Sequence, residues 1–243
     1  MEPAEYDRMH AVEDRMWWYR AAHANMLEAL RRSPPPPGTV VLDAGCGTGG
    51  LLRRLAQTRT GSAHVGVDVL ERAVQLTRAK SGAAVAVASA DCLPFQADSL
   101  GAIFSVDVIC HRGVDPHRAL AEAWRCLAPG GSLIINVPAY EWMASFHDRQ
   151  VHNARRFERA GLTGLLTGAG FATVRSTYWN SLLFPLMVLR RKWFAPREGH
   201  SDVGEFSGLA DRLFGAIMAV ESAGLRLGVR YPFGGSLLAV ATK

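Results

Sequence analysis

Apolar positions change their period along the chain. Met9, Val12, Met16, Tyr19 and the Ala22/His23 pair recur at three- and four-residue spacing, which predicts a helical segment over residues 4–33. Ser33-Pro34-Pro35-Pro36-Pro37-Gly38 then fixes φ and removes backbone donors, so it reads as a stiff connector. Short continuous apolar runs follow. Val40-Val41-Leu42 and residues 64–69, 84–88, 102–109 and 132–137 read as strands buried on both faces. Helical patterns lie between them: one through Leu51, Leu52, Leu55 and Ala56, one from 71 to about 79, and one from about 117 to 127. Alternation at this spacing predicts βαβ units and a parallel sheet. Past residue 140 the rhythm loosens. A helix over 158–167 closed by Gly168 and Gly170, a strand over 171–178 and a last strand over 236–242 are predicted. Residues 181–235 read as an insertion with an amphipathic helix on Phe206, Leu209, Leu213, Ile217 and Val220.

Composition narrows the class without changing that picture. Hydrophobic residues make up 49% of the 243 and charged residues 20%, an ordinary globular balance that excludes general disorder. The net charge of +5 is mild and its basic residues are scattered, the longest run being Arg190-Arg191-Lys192, so no nucleic-acid partner is expected. Cys46, Cys92, Cys110 and Cys126 form no CxxC pair, which points to reduced thiols and no metal. The opening MEPAEYDRMH is polar and acidic, and no apolar stretch approaches the ~20 residues of a membrane span. A cytoplasmic monomer or homodimer without stable membrane insertion is the expectation.

The chemistry concentrates in Asp43-Ala44-Gly45-Cys46-Gly47-Thr48-Gly49-Gly50, where a strand runs into a glycine turn and then a helix. Such a turn lets the backbone approach a ligand, and the helix start offers free N–H groups. Gly45-x-Gly47-x-x-Gly50 also satisfies the dinucleotide fingerprint, with Asp68 near the place of a ribose partner, so a nicotinamide-dependent oxidoreductase is one reading. Asp43 argues for another. A carboxylate two residues before the first glycine would repel a pyrophosphate but suits a ligand carrying an ammonium and a sulfonium.

These residues resemble the class I S-adenosylmethionine-dependent methyltransferases. The resemblance spans residues 39–140 and rests on four motifs: Asp43-x-Gly45-x-Gly47-x-Gly49, Gly66-Val67-Asp68, Asp91-x-x-x-Phe95 and Leu127-x-Pro129-Gly130-Gly131. It implies a Rossmann-like α/β fold, with a seven-stranded, mostly parallel sheet and helices on both faces. It further implies an N-terminal lid helix with proline linker (1–37), a methyltransferase domain (38–243), and S-adenosyl-L-methionine as cofactor without a metal. By position, Asp43, Gly45, Cys46, Gly47 and Gly49 would hold the methionine part, Asp68 and Val69 the ribose, and Asp91 and Cys92 would border the adenine. Asp107 falls at the same strand ends.

Two segments flank that core. Met16-Trp17-Trp18-Tyr19-Arg20 puts three aromatics side by side, and neighbours on a helix sit about 100° apart, so they must serve more than one surface. It reads as a lid that brings Trp18 and the Arg20 cation to the cofactor. After the fifth strand comes His147-Asp148-Arg149-Gln150-Val151-His152-Asn153-Ala154-Arg155-Arg156-Phe157, where open α/β sheets bind ligands. Tyr140 and Trp142 would wall an acceptor pocket together with His147. His152 is the candidate base, oriented by Asp148 if the segment is helical, and His111 is a second candidate. Arg155 and Arg156 would either hold an acidic group of the acceptor or pair with Glu158 and Asp148. A subset of bacterial natural-product methyltransferases looks similar here. The expected reaction is methyl transfer to oxygen or nitrogen of a small, partly apolar acceptor. C-methylation, or a non-methylating reaction such as cyclisation that keeps the cofactor as a structural or electrostatic element, are the other readings.

Overall fold

The computed structural model describes residues 3–58, 61–193 and 207–243. One seven-stranded sheet organises them. Its strands are β1 (Val40–Ala44), β2 (His64–Asp68), β3 (Ala84–Val87), β4 (Leu100–Val106), β5 (Leu127–Pro138), β6 (Thr173–Trp179) and β7 (Ser236–Thr242). In space they run β3-β2-β1-β4-β5-β7-β6, parallel throughout except for β7, which is antiparallel to both β5 and β6. The order reverses direction beside β1, whose neighbours are β2 and β4. That switch point leaves a crevice at the carboxyl ends of the strands.

Strand alternation feeds two cores. Leu42, Ile103, Leu133, Ile135 and Leu237 face one side, covered by α5 (Pro116–Cys126) and α7 (Arg159–Gly168). Val41, Phe104, Ile134 and Leu238 face the other, covered by α2 (Trp17–Arg32), α3 (Gly50–Ala56), α4 (Glu71–Ser81) and α9 (Gly208–Arg226). Every central strand is therefore apolar on both faces, which is why its sequence shows runs rather than alternation. The remaining helices are α1 (Pro3–Val12), the short α6 (Phe146–Gln150) and α8 (Phe184–Trp193).

Three elements depart from the sequence reading. The single N-terminal helix is two: the chain turns between Val12 and Trp17, so that α1 reaches over the glycine loop while α2 packs into the core through Ala22, Met26 and Leu30. The fourth strand stops at Val106 and His111 lies in the loop beyond it. The inserted helix α9 is rotated from the prediction, and of the predicted face Ile217 packs on the core. Leu209, Leu213 and Val220 are 80%, 57% and 67% exposed, while Phe214, Met218 and Leu225 pack on α2 and the sheet. Phe206 lies outside the described residues. Polar anchors set that rotation: Asp211 accepts from the Trp17 N–H at 2.7 Å, Asn25 pairs with Ser222, and buried Glu221 accepts from the N–H groups of Ser181 and Leu182.

Candidate active site

A cavity of about 930 Å³ opens at the switch point, and its lining runs from the glycine loop to α6 and α8. At one end β1 delivers Asp43 and then Gly45, whose φ of 85° and whose Cβ position, blocked by Val108, exclude any side chain. Gly49 is constrained likewise, at φ 87° with the Thr77 backbone 2.8 Å from where a Cβ would stand. At the tip of β2, Asp68 accepts from the Gly47 and Leu70 N–H groups at 3.0 and 3.1 Å and from the Tyr6 hydroxyl at 3.3 Å. Cys46, Val69 and Asp107 also line the cavity.

The electrostatics of this end are lopsided. Asp43 is 3% exposed, and among the described residues no cation stands within ion-pair distance of it. Burial, with the charges of Glu13 and Asp68 adding, pushes its pKa up to about 8. Burial likewise raises Asp107 to about 7, against the hydrogen bond that Asn136 donates to it at 2.9 Å. Asp107 itself sits at φ 52°, a backbone state that Asp tolerates better than most residues. Three carboxylates facing one space, none of them ion-paired to a cation among the described residues, suit a cationic ligand. The donor set therefore fits S-adenosylmethionine, whose ammonium and sulfonium supply the missing charge.

Glu13 was not singled out from sequence, yet it ties the N-terminal segment to the loop. It is buried in the turn between α1 and α2, accepts from the Thr48 hydroxyl, from Gly50 N–H at 3.2 Å and from the Lys80 ammonium at 2.6 Å. Gly49, the N-cap of α3, has no side chain to cap that helix, and Glu13 takes the role from another segment. A glycine N-cap that must be satisfied from afar, and an acid interrupting the Met9–Val12–Met16 stripe, are the signals that pointed to it. Tyr6, Met9 and His23 join it in the lining; burial drives the His23 pKa down to about 4.

Of the lid residues, Trp18 lines the cavity and packs on Tyr19 and Trp179, while Trp17 packs edge-on to Phe214. Arg20 does not reach the cleft. It is exposed and pairs with Asp211 of α9 at 3.2 Å, on the side of α2 turned away from the cavity. Asp91 and Cys92 stand just outside the lining, which Ala88 and Ala90 provide: Asp91 accepts from Ser89 Oγ at 2.6 Å in a tight turn, and Cys92 is exposed.

The far end of the cavity corrects several expectations. α6 ends at Gln150 and His152 follows at φ 59°, so the helical spacing that would have placed Asp148 behind His152 does not exist. Asp148 instead takes a two-pronged contact from Arg156, at 3.0 Å to each oxygen, with both side chains 7% exposed. This is the structural ion pair, and it removes Arg156 as an acceptor clamp. Arg155 is also structural: its Nη1 donates to the carbonyls of Ile109, His111 and Val114 at 2.8, 3.2 and 2.8 Å. Tyr140 and Trp142 do not line this cavity. Tyr140, turned at φ 58°, stacks on Tyr178 at 5.2 Å, and Trp142 is 52% exposed beneath the Lys192 ammonium. His147 lies on α6 with its side chain outside the described residues. His111 and His152 both line the cavity. His111 does not cap α5, since Asp115 does that; burial lowers its pKa to about 4, so it is a neutral imidazole at physiological pH. Among the described residues no group of His, Cys, Asp and Glu could hold a metal ion, and no helix is long and apolar enough to cross a membrane.

Comparison with known proteins agrees with this geometry. A family described as a methyltransferase domain matches residues 42–135, which contain the glycine loop, Asp68 and Asp107. Residues 42–135 carry a methyltransferase domain of the class I S-adenosylmethionine-dependent kind. A methyltransferase solved in complex with the Haloferax volcanii Trm112 activator is similar over 98% of this chain and 94% of that one, at 27% identity and a TM-score of 0.65. The trans-aconitate 2-methyltransferase of Deinococcus radiodurans is 32% identical over 179 residues, 69% of this chain and 62% of that protein. A Mus musculus protein of the tRNA methyltransferase 9B type is 39% identical over 107 residues, 43% of this chain and 23% of that one. This methyltransferase chain spans only a quarter to a third of the length of the first curated relatives it matches. A [4+2]-cyclase shares the fold, at 20% identity and a TM-score of 0.60 over 93% of this chain and 82% of that one.

Proposed function

We propose that this methyltransferase moves the methyl group of S-adenosylmethionine to an oxygen or nitrogen of a small, partly apolar acceptor, as a cytoplasmic enzyme of natural-product-like metabolism. The observation that carries the reading is the uncompensated carboxylate wall of Asp43, Asp68 and Asp107 at the switch point, joined through one cavity to two histidines. Bound there, the cofactor supplies an electrophilic methyl group on a cationic sulfur.

The chain's own residues do the rest. The Gly45–Gly49 backbone and Asp43 receive the amino-acid part, and Asp68 accepts from the ribose hydroxyls in place of Tyr6. Trp18 and Met16 close the cavity from α2 and exclude water. A ring nitrogen of His111, held neutral by burial, takes the acceptor's proton as the nucleophile forms. His152, exposed at the rim, stands as the alternative base. Holding nucleophile and methyl in line is itself worth ~7–11 kcal/mol of barrier. A concave cavity of about 930 Å³ favours a small molecule over a nucleic acid, although relatives of the tRNA methyltransferase type keep the second open to test.

The deciding experiment is a calorimetric titration with S-adenosylhomocysteine, with NAD as control, followed by incubation with S-adenosylmethionine and candidate acceptors under mass spectrometry. Binding of S-adenosylhomocysteine without NAD binding supports the cofactor. Its stoichiometric appearance with a methylated product supports transfer. Acceptor conversion with no S-adenosylhomocysteine formed would instead favour a cyclase-like use of the fold.

A further inference from the structure

The cavity's charges are segregated by chain segment. The uncompensated acids stand at the ends of β1, β2 and β4, whereas the far end is built from two loops, 107–114 and 148–156, that are stitched together. Arg112 N–H donates to the His152 carbonyl at 2.9 Å, His152 N–H to the Arg149 carbonyl at 3.2 Å, and Ala154 N–H to the Cys110 carbonyl at 2.9 Å. The guanidinium of Arg155 clamps the first loop from beneath through three of its carbonyls. This places Arg112, Arg149, His111 and His152 on one platform, all of them lining the cavity.

The platform carries more positive than negative charge. Apart from Asp107, which faces the cofactor end, its one carboxylate is Asp148, and that is paired with Arg156. Arg155 is neutralised by no acid among the described residues, being held by carbonyls alone. Arg112 and Arg149 likewise have no carboxylate within ion-pair distance among the described residues; Arg149 lies over the Phe146 ring at 5.1 Å. The acids at the cofactor end do not serve them either, for the charges acting on Asp43 are Glu13 and Asp68, and those acting on Asp107 are Arg156 and Asp148. The same lining holds the apolar Val114, Phe146, Val151 and Met187, and two further arginines of α8, Arg190 and Arg191. A guanidinium fork recognises planar or tetrahedral oxyanions by paired, charge-assisted hydrogen bonds.

We propose that Arg112 and Arg149 form an anion subsite in the acceptor half of the cavity, which takes a carboxylate or phosphate carried by an apolar acceptor and so presents its nucleophile toward His111. The proposal rests on the acceptor-pocket reading above and gives it a substrate class: small organic anions. Arg155 is a positioning residue that holds the loop and adds its field. Both binding arginines are exposed at the rim, so an incoming anion meets them before it enters.

The test titrates the full chain, with and without saturating S-adenosylhomocysteine, with benzoate, phenyl phosphate, their neutral counterpart benzamide and the cation benzylamine. The expected result is at least tenfold tighter binding of one or both anions than of benzamide, and no binding of benzylamine. The ranking of benzoate against phenyl phosphate tells carboxylate from phosphate. Arg112→Gln and Arg149→Gln should each weaken the anion at least fivefold, and the double variant should erase the preference, while S-adenosylhomocysteine affinity and melting temperature stay unchanged. Equal binding of benzoate, phenyl phosphate and benzamide, an unaltered preference in the double variant, or competition between the anions and S-adenosylhomocysteine would each overturn the proposal. Failure of S-adenosylhomocysteine to bind would refute the cofactor reading separately, because the anion preference is read on the ligand-free protein too.

Discussion

Binding of the cationic cofactor should release a proton, and Asp43 sets how much. With its pKa raised to about 8, about nine-tenths of Asp43 is protonated at pH 7 in the ligand-free fold. A sulfonium and an ammonium arriving beside it favour the carboxylate, so each binding event expels about 0.9 proton at that pH. Apparent affinity is proportional to the ionised fraction, which rises about 25-fold from pH 6 to pH 7.5 for such a group. The sign for the ligand-free protein is the reverse. A carboxyl whose folded pKa exceeds its unfolded value binds more protons when folded, so its contribution to stability falls as pH rises from about 4 to about 8. Titration calorimetry in two buffers of different ionisation enthalpy gives the proton count directly. Asp43→Asn should flatten the pH dependence and abolish most of the release, with Asp107→Asn as the smaller second contributor. An affinity for S-adenosylmethionine that stays level between pH 6 and 7.5, with no buffer-dependent heat, would refute the account of an uncompensated carboxylate wall.

Other expectations are equally direct. Asp68→Asn should weaken S-adenosylhomocysteine by about 5–150-fold, the range for leaving buried donors badly paired at ~1–3 kcal/mol, and calorimetry reads it. Removing residues 1–12 should leave a folded protein with weaker cofactor binding, because α1 covers the glycine loop while α2 belongs to the core; a loss of cooperative melting would count against that division. His111→Ala should lower turnover by roughly 100-fold or more while His152→Ala costs under tenfold. Because burial holds His111 near 4, the parent rate should show no inflection between pH 6 and 7; an inflection there that His152→Ala removes would return the base to His152. His23, also lowered to about 4 by burial, should make the protein lose stability as pH falls from about 6.5 to 4, since the unfolded chain takes up the proton first. His23→Gln should shallow that loss in melting curves.

Much of the fold is written in local pattern. Val40–Leu42, Ala102–Phe104 and Leu237–Ala241 show as unbroken apolar runs because each is covered on both faces, and the glycine loop shows because its backbone admits nothing larger. What local pattern lacks is rotation and termination. α9 is apolar on more than one side, so periodicity chose Leu209, Leu213 and Val220, whereas Asp211, Ser222 and Glu221, anchored to residues far off in sequence, turned Phe214 and Met218 inward. The site divides the same way. The proximal carboxylates follow strand ends and were legible. For Arg155 and Arg156 the sequence left acceptor binding and structural pairing both open, and only the fold shows Arg156 on Asp148 and Arg155 on backbone carbonyls. Arg20 looked like a lid cation and pairs with Asp211, 191 positions away. Glu13 carries no motif, since its significance depends on a helix start 37 residues later.

The pairing of α2 with α9 means that the chain's beginning is completed by nearly its end. Trp17 and Arg20 meet Asp211 across 194 and 191 positions, and Asn25 meets Ser222 across 197. On the ribosome, α2 emerges long before α9 and waits with Trp17 uncovered until α9 has been made. Closing so long a loop adds only slowly to the entropic cost, but it postpones this docking step until α9 has left the ribosome. Nascent chains arrested before residue 207 should therefore be cut by protease near α2 while β1, β2 and β4 are already protected, and release of the full chain should close that window in one step. α2, made before any strand of the sheet, becomes fully native only after β6 has been made.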